Sequence, residues 1–262
     1  MIGAIVGDYV GSAYEFAPTK NYNFELVTPA SSITDDTIMS LAIADALMQP
    51  TVHAQYGARM QHWGRKYPNP KGGYGGAFKQ WLESADPQPY NSFGNGSAMR
   101  VSAIGWVFTE LETVQVEAAA SAGVTHNHAE GIRGALATAS ALWLARNGYN
   151  KEAIRAEVER LGYTLDFSII NIKPHYGFNE TCQLTVPVAI RCFYESTSYE
   201  DCIRMAVSLG GDADTLACIA GGIAEAYYGE DSIPADLKAK ALATLPADLL
   251  GVYNRFRELY LR

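Results

Sequence analysis

The chain has 262 residues, of which 48% are hydrophobic and 18% charged, a balance that is typical of a soluble globular protein and excludes a disordered or fibrous chain. A formal net charge of -8 without a basic run argues against electrostatic binding to nucleic acid or to an anionic membrane. We expect residues 1–262 to form one domain. We also expect a monomer that has no stable nucleic-acid or membrane partner.

The first predicted element is an N-terminal helix in which Gly3, Gly7 and Gly11 recur every four residues. This spacing leaves one helix face without side chains, so that a neighbouring helix can approach closely, and it predicts a central, buried helix. Asp8 and Glu15 share a face if the helix continues that far, and one of them could then reach a metal ion. The alternatives are a buried, hydrogen-bonded Asp8 and a solvated Glu15.

Thr34-Asp35-Asp36-Thr37 precedes the second predicted helix. Threonine or aspartate at an N-cap satisfies free amides and complements the helix dipole, so capping alone can explain the motif. The other interpretation is that the two carboxylates hold a ligand. The apolar stripe that predicts this helix consists of Ile38, Leu41, Ala42, Ala44 and Leu47.

Two glycine-rich segments, 72–76 and 94–97, do not fit helix interiors and are candidates for loops that wrap a ligand. The amides of Gly94–Ser97 precede an apolar helical pattern and could bind phosphate with Arg100 nearby, although such loops are also plain turns. His126 precedes another long helix, where a histidine is either structural or a contact for a sugar or phosphate.

The rest of the chain has helical periodicity, and convincing strand patterns are scarce, so we predict an all-α fold. Ser198 with Asp201 forms a capping-box pattern, and Gly162 and Gly229 are plausible helix ends. The predicted stripes are Ala135, Leu136, Ala139, Leu142 and Trp143, followed by 151–161, 199–209, 215–228 and 247–261.

A second acidic motif, Gly210-Gly211-Asp212-Ala213-Asp214-Thr215, also opens an apolar helix. If the two motifs meet, four carboxylates share one pocket and repel one another unless cations neutralise them. The motifs contain only hard oxygen ligands, which favours magnesium, manganese or calcium over zinc or copper. Two such ions can orient hydroxyls and activate water, and hydrolysis is the natural reaction class.

The four cysteines lack a Cys-x-x-Cys spacing, and we predict reduced thiols in the core. The N-terminus lacks a basic region, and Asp8 comes too early for a secretory signal. No run of the sequence approaches transmembrane length, so we expect a cytoplasmic protein.

Five motifs, in order along essentially the whole chain, resemble those of the ADP-ribosylglycohydrolases, the family that includes the dinitrogenase reductase-activating glycohydrolase and the ADP-ribosyl-acceptor hydrolases. The resemblance implies a single compact, orthogonally packed helical domain with two magnesium or manganese ions in a central cleft that binds ADP-ribose. The motifs are GAIVGDYVGSAYE at 3–15, TDDT at 34–37, GNGSAMR at 94–100, TH at 125–126 and GGDADTLACIAGGIAEAYYG at 210–229.

Carried over by position, the resemblance implies site residues. Glu15, Asp35 and Asp36 match residues that contribute to catalysis. The positions that match metal ligands are Thr34, Asp35, Asp36, Asp212, Asp214 and Thr215. The positions expected to contact ADP-ribose are Gly94, Asn95, Gly96, Ser97, His126, Tyr176 and Phe178. Ala213 and Glu225 depart from residues frequent in the family, Thr or Ser and Gly, without removing a ligand.

We therefore expect a metal-dependent hydrolase of the glycosidic bond between ADP-ribose and an acceptor, with a protein side chain such as arginine as the acceptor. The alternatives are a hydrolase of O-acetyl-ADP-ribose or another small conjugate, and a non-catalytic binder or structural relative.

Overall fold

The structure, a computed structural model, describes residues 1–50 and 52–261, without the side chains of 52–54. Its described residues form α-helices and no strand, and isolated bridges join Thr34 to Lys71 and Gly94 to Thr181. The all-α prediction is confirmed. The helices are α1 (Ile2–Gly11), α2 (Asp35–Leu47), α3 (Val52–Lys66), α4 (Gly76–Glu83), α5 (Gly96–Met99), α6 (Ile104–Val107), α7 (Leu111–Gly123), α8 (Ala129–Arg146), α9 (Lys151–Arg160), α10 (Ile169–Ile172), α11 (Cys182–Glu195), α12 (Tyr199–Val207), α13 (Ala213–Tyr228), α14 (Ala235–Ala243) and α15 (Ala247–Tyr260).

Helix α1 lies at the centre of the molecule, antiparallel to α13, and every residue of α1 is buried. A Cβ on Gly7 would lie 2.0 Å from the carbonyl oxygen of Ala217, and one on Gly11 would lie 2.3 Å from that of Ala213. Because these glycines have ordinary helical φ values, their role is to permit the close backbone approach. The predicted glycine face is confirmed, and it brings the end of α1 beside the start of α13.

The helices predicted from apolar stripes are present as α2, α8, α9, α12, α13 and α15, with ends within a few residues of the predicted ones. Helix α11 has no such prediction, and Pro187 lies in its interior. Proline removes one backbone donor and disfavours a helix, so local propensity hides this element. Its buried apolar face, packed against α13 and α8, overrides that propensity.

The predicted helix ends are confirmed. The Ser198 hydroxyl accepts a hydrogen bond from the Asp201 amide at 3.1 Å, and Gly162 and Gly229 have positive φ values of 102° and 86°. The four cysteines are free and buried, as predicted. Among residues 1–50 and 52–261, no helix combines the length and apolarity that a bilayer span needs.

Candidate active site

Asp8 and Thr34 together form the cap of α2. The Asp8 carboxylate accepts hydrogen bonds from the Thr34 and Thr37 amides, at 3.0 and 3.1 Å, and from both threonine hydroxyls. The Thr34 hydroxyl in turn accepts from the Asp36 amide at 3.1 Å. Burial raises the pKa of Asp8, and these bonds oppose that shift. Asp8 is therefore the buried, hydrogen-bonded acid that was one of its two sequence interpretations.

Because other residues cap α2, the carboxylates of its first turn are available for a ligand. Asp36 is buried, and its Oδ2 accepts a hydrogen bond of 3.3 Å from the Thr215 hydroxyl at the start of α13. Its Oδ1 is buried and has no hydrogen-bond partner among the described atoms. The two acidic motifs thus meet in space, as predicted, with one carboxylate oxygen of Asp36 left for another ligand.

Glu15 completes a group of three carboxylates with Asp212 and Asp214. One oxygen from each lies within 4.8 Å of the others. The condition for a shared helix face of Asp8 and Glu15 is not met, since α1 ends at Gly11 and Glu15 lies in the turn that follows. Glu15 instead reaches the cluster because Gly11 packs directly on the first turn of α13.

The carboxylate cluster, which we define as Glu15, Asp35, Asp36, Asp212 and Asp214, is electrostatically strained. Burial and the charge of Asp214 raise the pKa of Glu15 to about 8. Burial, followed by the neighbouring carboxylates, raises the pKa values of Asp35 and Asp36 well above the usual range. Asp212, which accepts a hydrogen bond from Asn95, has a pKa raised to about 6, chiefly by burial.

The cluster fits divalent cations. Its donors are hard oxygens, and buried oxygens of Glu15 and Asp36 lack a partner in the described structure. A cation would satisfy these atoms and neutralise the mutual repulsion that adds to burial in raising the pKa values. Thr34 is buried and its hydroxyl already bonds Asp8, whereas Thr215 lies at the cavity beside Asp36.

A cavity of about 480 Å³ opens over the cluster. The cluster residues line it, together with the glycine-rich segment 72–76, which was one of the two loops predicted to wrap a ligand. Gly72 has a positive φ of 79°, and a Cβ there would lie 2.8 Å from Glu15 Oε2. Glycine at this position therefore allows the loop to pass close to the Glu15 carboxylate.

The second predicted loop, Gly94–Ser97, lies on the same cavity. The Asn95 side-chain amide donates to Asp212 Oδ2 at 2.7 Å and to Thr185 Oγ1 at 3.2 Å. Gly94, Asn95 and Gly96 line the cavity, whereas the buried Ser97 hydroxyl donates to the carbonyl of Gly131 at 2.7 Å. Ser97 thus anchors the loop to α8, while the three residues before it face the cavity.

His126 lies beside this loop, next to Gly94 and Gly96. It is buried, lines the cavity, and its Nδ1 lies 2.7 Å from the Thr125 hydroxyl. Arg100 is also buried, and its Nη2 donates to Thr125 Oγ1 and to the carbonyl of Ser121, at 2.9 and 2.8 Å. The Nη2 group is therefore engaged with residues at the end of α7, while Arg100 also lines the cavity and its Nε has no partner among the described atoms.

Two residues predicted to contact ADP-ribose lie on different surfaces. Phe178 is half exposed at the cavity, where its ring stacks on that of Phe16 at 6.5 Å between centroids. Tyr176 lies behind Gly211, and its hydroxyl donates to the carbonyl of Leu184 at 3.0 Å. It lines a neighbouring groove and not the cavity over the cluster.

The sequence did not indicate several cavity residues, which are Phe16, Met39, Ala77, Phe78, Tyr90, Ser92, Met99 and Glu180. Tyr90 packs its ring on His126, with 5.9 Å between centroids. The Ser92 hydroxyl accepts from the Gly94 amide at 3.1 Å. A serine two residues before a glycine loop is a recognisable turn former, whereas nothing in the local sequence distinguishes Tyr90.

Comparison with known proteins gives a consistent result. A family model described as ADP-ribosylglycohydrolase matches residues 1–260. The ADP-ribosylhydrolase ARH3 of Homo sapiens is 27% identical, over 89% of this chain and 85% of that protein. The ADP-ribosylarginine hydrolase Tri1 of Pseudomonas putida (strain GB-1) is 28% identical, over 89% of this chain and 71% of that protein. A solved structure titled ADP-ribosylglycohydrolase-related protein complex aligns with a TM-score of 0.73 and 26% identity, over 98% of this chain and 96% of the other.

Proposed function

This chain belongs to the ADP-ribosylglycohydrolase family, and from that membership we propose that it is an enzyme that hydrolyses the glycosidic bond between ADP-ribose and an acceptor. The observation that carries the proposal is that Glu15, Asp212 and Asp214 converge within 4.8 Å beside the cavity. The loop Gly94–Gly96 and His126 line the same cavity. A glycosidic centre at the cluster and a diphosphate at the loop can therefore be bound together.

Two divalent cations, Mg2+ or Mn2+, are the proposed cofactors. The proposed ligands are Thr34, Asp35, Asp36, Asp212, Asp214 and Thr215, and the two oxygens of Glu15 and Asp36 that lack partners support the presence of a cation. When bound, such ions orient ribose hydroxyls and lower the pKa of water.

The reaction proposed is hydrolysis at the anomeric carbon of the ribose, through a transition state with oxocarbenium character. Carboxylates beside the ring stabilise the positive charge that develops there. Glu15, Asp35 and Asp36 are the proposed catalytic residues, and all three line the cavity. Glu15 is only partly buried and lies at the cavity, where its carboxylate can contact water or the leaving group.

The acceptor proposed is a protein side chain such as arginine, because Tri1, one of the relatives, is named for ADP-ribosylarginine. The acidic cavity wall also favours a cationic acceptor such as a guanidinium. A small conjugate such as O-acetyl-ADP-ribose is the second candidate.

Release of ADP-ribose from a matched panel tests these assignments. Arginine-linked and serine-linked ADP-ribosyl peptides of one sequence, and O-acetyl-ADP-ribose, are incubated with the enzyme with Mg2+ or with chelator. We expect metal-dependent release that is fastest from the arginine-linked peptide. Faster release from O-acetyl-ADP-ribose would identify small conjugates, and not protein side chains, as the substrate class. Binding of ADP-ribose without cleavage of any substrate would identify a non-catalytic binder.

A further inference from the structure

His126 is connected to a buried cation through one hydroxyl group. Arg100 donates to Thr125 Oγ1 at 2.9 Å, and the same oxygen lies 2.7 Å from His126 Nδ1. Arg100 and Thr125 are buried, as is His126 apart from the cavity edge. In the described part of the chain, no carboxylate forms an ion pair with Arg100. An unpaired buried cation is unfavourable unless it has a function or a ligand that compensates it.

The direction of the hydrogen bonds can be deduced from these contacts. A guanidinium only donates, so Thr125 Oγ1 accepts from Arg100. The hydroxyl proton can go to His126 Nδ1 at 2.7 Å or to the Ala122 carbonyl at 3.5 Å. That carbonyl already accepts the amides of His126 and Thr125, at 2.7 and 3.1 Å. The short bond to Nδ1 is therefore the favoured one, and Nδ1 is an acceptor.

The opposite ring nitrogen faces the glycine loop. A Cβ on Gly94 or Gly96 would lie 3.4 or 3.3 Å from His126 Nε2. Neither glycine has a positive φ, so the backbone conformation does not require glycine at either position. Glycine instead keeps the space in front of Nε2 open to the cavity. Within the described structure, no hydrogen bond forms at Nε2.

We propose that Arg100 and Thr125 are positioning residues that hold His126 in the neutral tautomer protonated on Nε2, which donates a hydrogen bond to an acceptor oxygen of the bound ligand. Burial and the charge of Arg100 also lower the pKa of His126 well below its usual value. The ring is therefore a neutral donor of fixed direction. That this oxygen belongs to the diphosphate or a ribose of ADP-ribose rests on the proposed function.

Nitrogen-15 NMR of histidine-labelled enzyme at pH 7 tests the tautomer directly. Two-bond nitrogen–proton correlations distinguish the two neutral forms and the imidazolium, and the His126 signals are identified by their loss in His126→Gln. We expect a neutral ring with the proton on Nε2. A proton on Nδ1, or a charged ring, would overturn the proposal whether or not the enzyme binds ADP-ribose.

Variants test the positioning role through ADP-ribose binding, measured by calorimetry with Mg2+ present. Thr125→Val removes the hydroxyl with little change of shape, and we expect about tenfold weaker binding together with loss of the single tautomer. Thr125→Ser keeps the hydroxyl and is expected to bind nearly as tightly as the wild type. Equal binding by Val and Ser variants would contradict the proposal. Affinity for Mg2+ alone is the control, and it is expected to be unchanged in both.

A second pair of variants keeps the proposal testable if Thr125→Val does not fold. In His126→Gln the side-chain amide nitrogen reaches the position of Nε2 and can donate a hydrogen bond to the ligand. In His126→Asn the shorter side chain places its amide nitrogen only at the position of Nδ1. We expect Gln to bind ADP-ribose several-fold more tightly than Asn. Equal affinities would count against the donor role. Absence of binding by the wild type would refute the proposed function and leave the NMR result to decide the tautomer.

Discussion

The side-chain amide of Asn95 donates a hydrogen bond of 2.7 Å to Asp212, and this bond links the loop Gly94–Ser97 to the carboxylate cluster. The same amide bonds Thr185 on α11, so Asn95 holds the loop and the start of α13 in one arrangement. Hydrogen bonds to an ionised carboxylate favour its charged form, and this bond lowers the pKa of Asp212 against the effect of burial.

Asn95→Ala is expected to raise the pKa of Asp212 above about 6. More protons then compete with the metal, so Mg2+ affinity at pH 6.5 should fall about tenfold, and the deficit should shrink at pH 8.5. Calorimetric titration with Mg2+ at both pH values measures this. Asn254→Ala, at an exposed position of α15, is the control, and an equal loss at both pH values would contradict the electrostatic explanation.

The stability of the metal-free enzyme is expected to fall as the pH rises. A carboxyl whose pKa is higher in the folded state contributes stability below its unfolded value and loses it as the pH passes the folded value. For Asp212 and Glu15, with folded pKa values of about 6 and about 8, this window lies between about pH 4 and pH 8.

Thermal melting with chelator at pH 5 and pH 8.5 measures the effect. The melting temperature should be higher at pH 5, and added Mg2+ should raise it more at pH 8.5, where the cluster is ionised. A Mg2+ effect that is equal at both pH values would argue against cation binding by ionised carboxylates.

The meeting of the two acidic motifs could be predicted because each carries its own helix-start pattern and both need the same counterion. Helical spacing places Glu15 on the face of Asp8 only if α1 continues that far. Because α1 ends at Gly11, the close approach of Gly11 to Ala213 is what brings Glu15 to the cluster. Such tertiary contacts are not encoded in local periodicity.

Glu225 is a second residue whose role depends on a tertiary contact that local sequence does not indicate. Nothing in the local sequence around Glu225 indicates a partner for its carboxylate. In the structure its buried carboxylate accepts hydrogen bonds from the amides of Ile2 and Gly3, at 3.2 and 2.7 Å, and so caps α1. These residues are more than 220 positions apart, and only the antiparallel packing of α1 on α13 reveals the pairing.

Asp36→Asn is expected to stabilise the metal-free enzyme while it abolishes function. The change removes one charge from the cluster, and the new amide can donate to neighbouring carboxylates, so the melting temperature without metal should rise at pH 8. Turnover should fall at least about 100-fold, and Mg2+ should stabilise the variant less than the wild type. Asp166→Asn, at an exposed position, is the control. Wild-type turnover in Asp36→Asn would refute the role of Asp36 in the site.

Gly7→Ala is expected to disturb the packing of α1 on α13 and so to displace the carboxylates of the cluster. The new Cβ would lie 2.0 Å from the Ala217 carbonyl oxygen, and that oxygen belongs to a helix backbone that cannot move without its neighbours. We expect a loss of about 3 kcal/mol of unfolding free energy or more, measured by urea denaturation. Because Glu15 lies in the turn directly after α1 and Asp214 lies in the first turn of α13, Mg2+ affinity should fall as well.

Gly251→Ala is the matched control, since it also adds one methyl group to a helix. Nothing lies within 4 Å of a Cβ at Gly251, and its φ is not positive. Replacing glycine by alanine in an exposed helix stabilises it by up to about 1 kcal/mol, so this variant should be at least as stable as the wild type and bind Mg2+ equally well. If Gly7→Ala were equally harmless, the glycine face would not be what sets the distance between α1 and α13. The position of Glu15 beside Asp214 would then need another explanation.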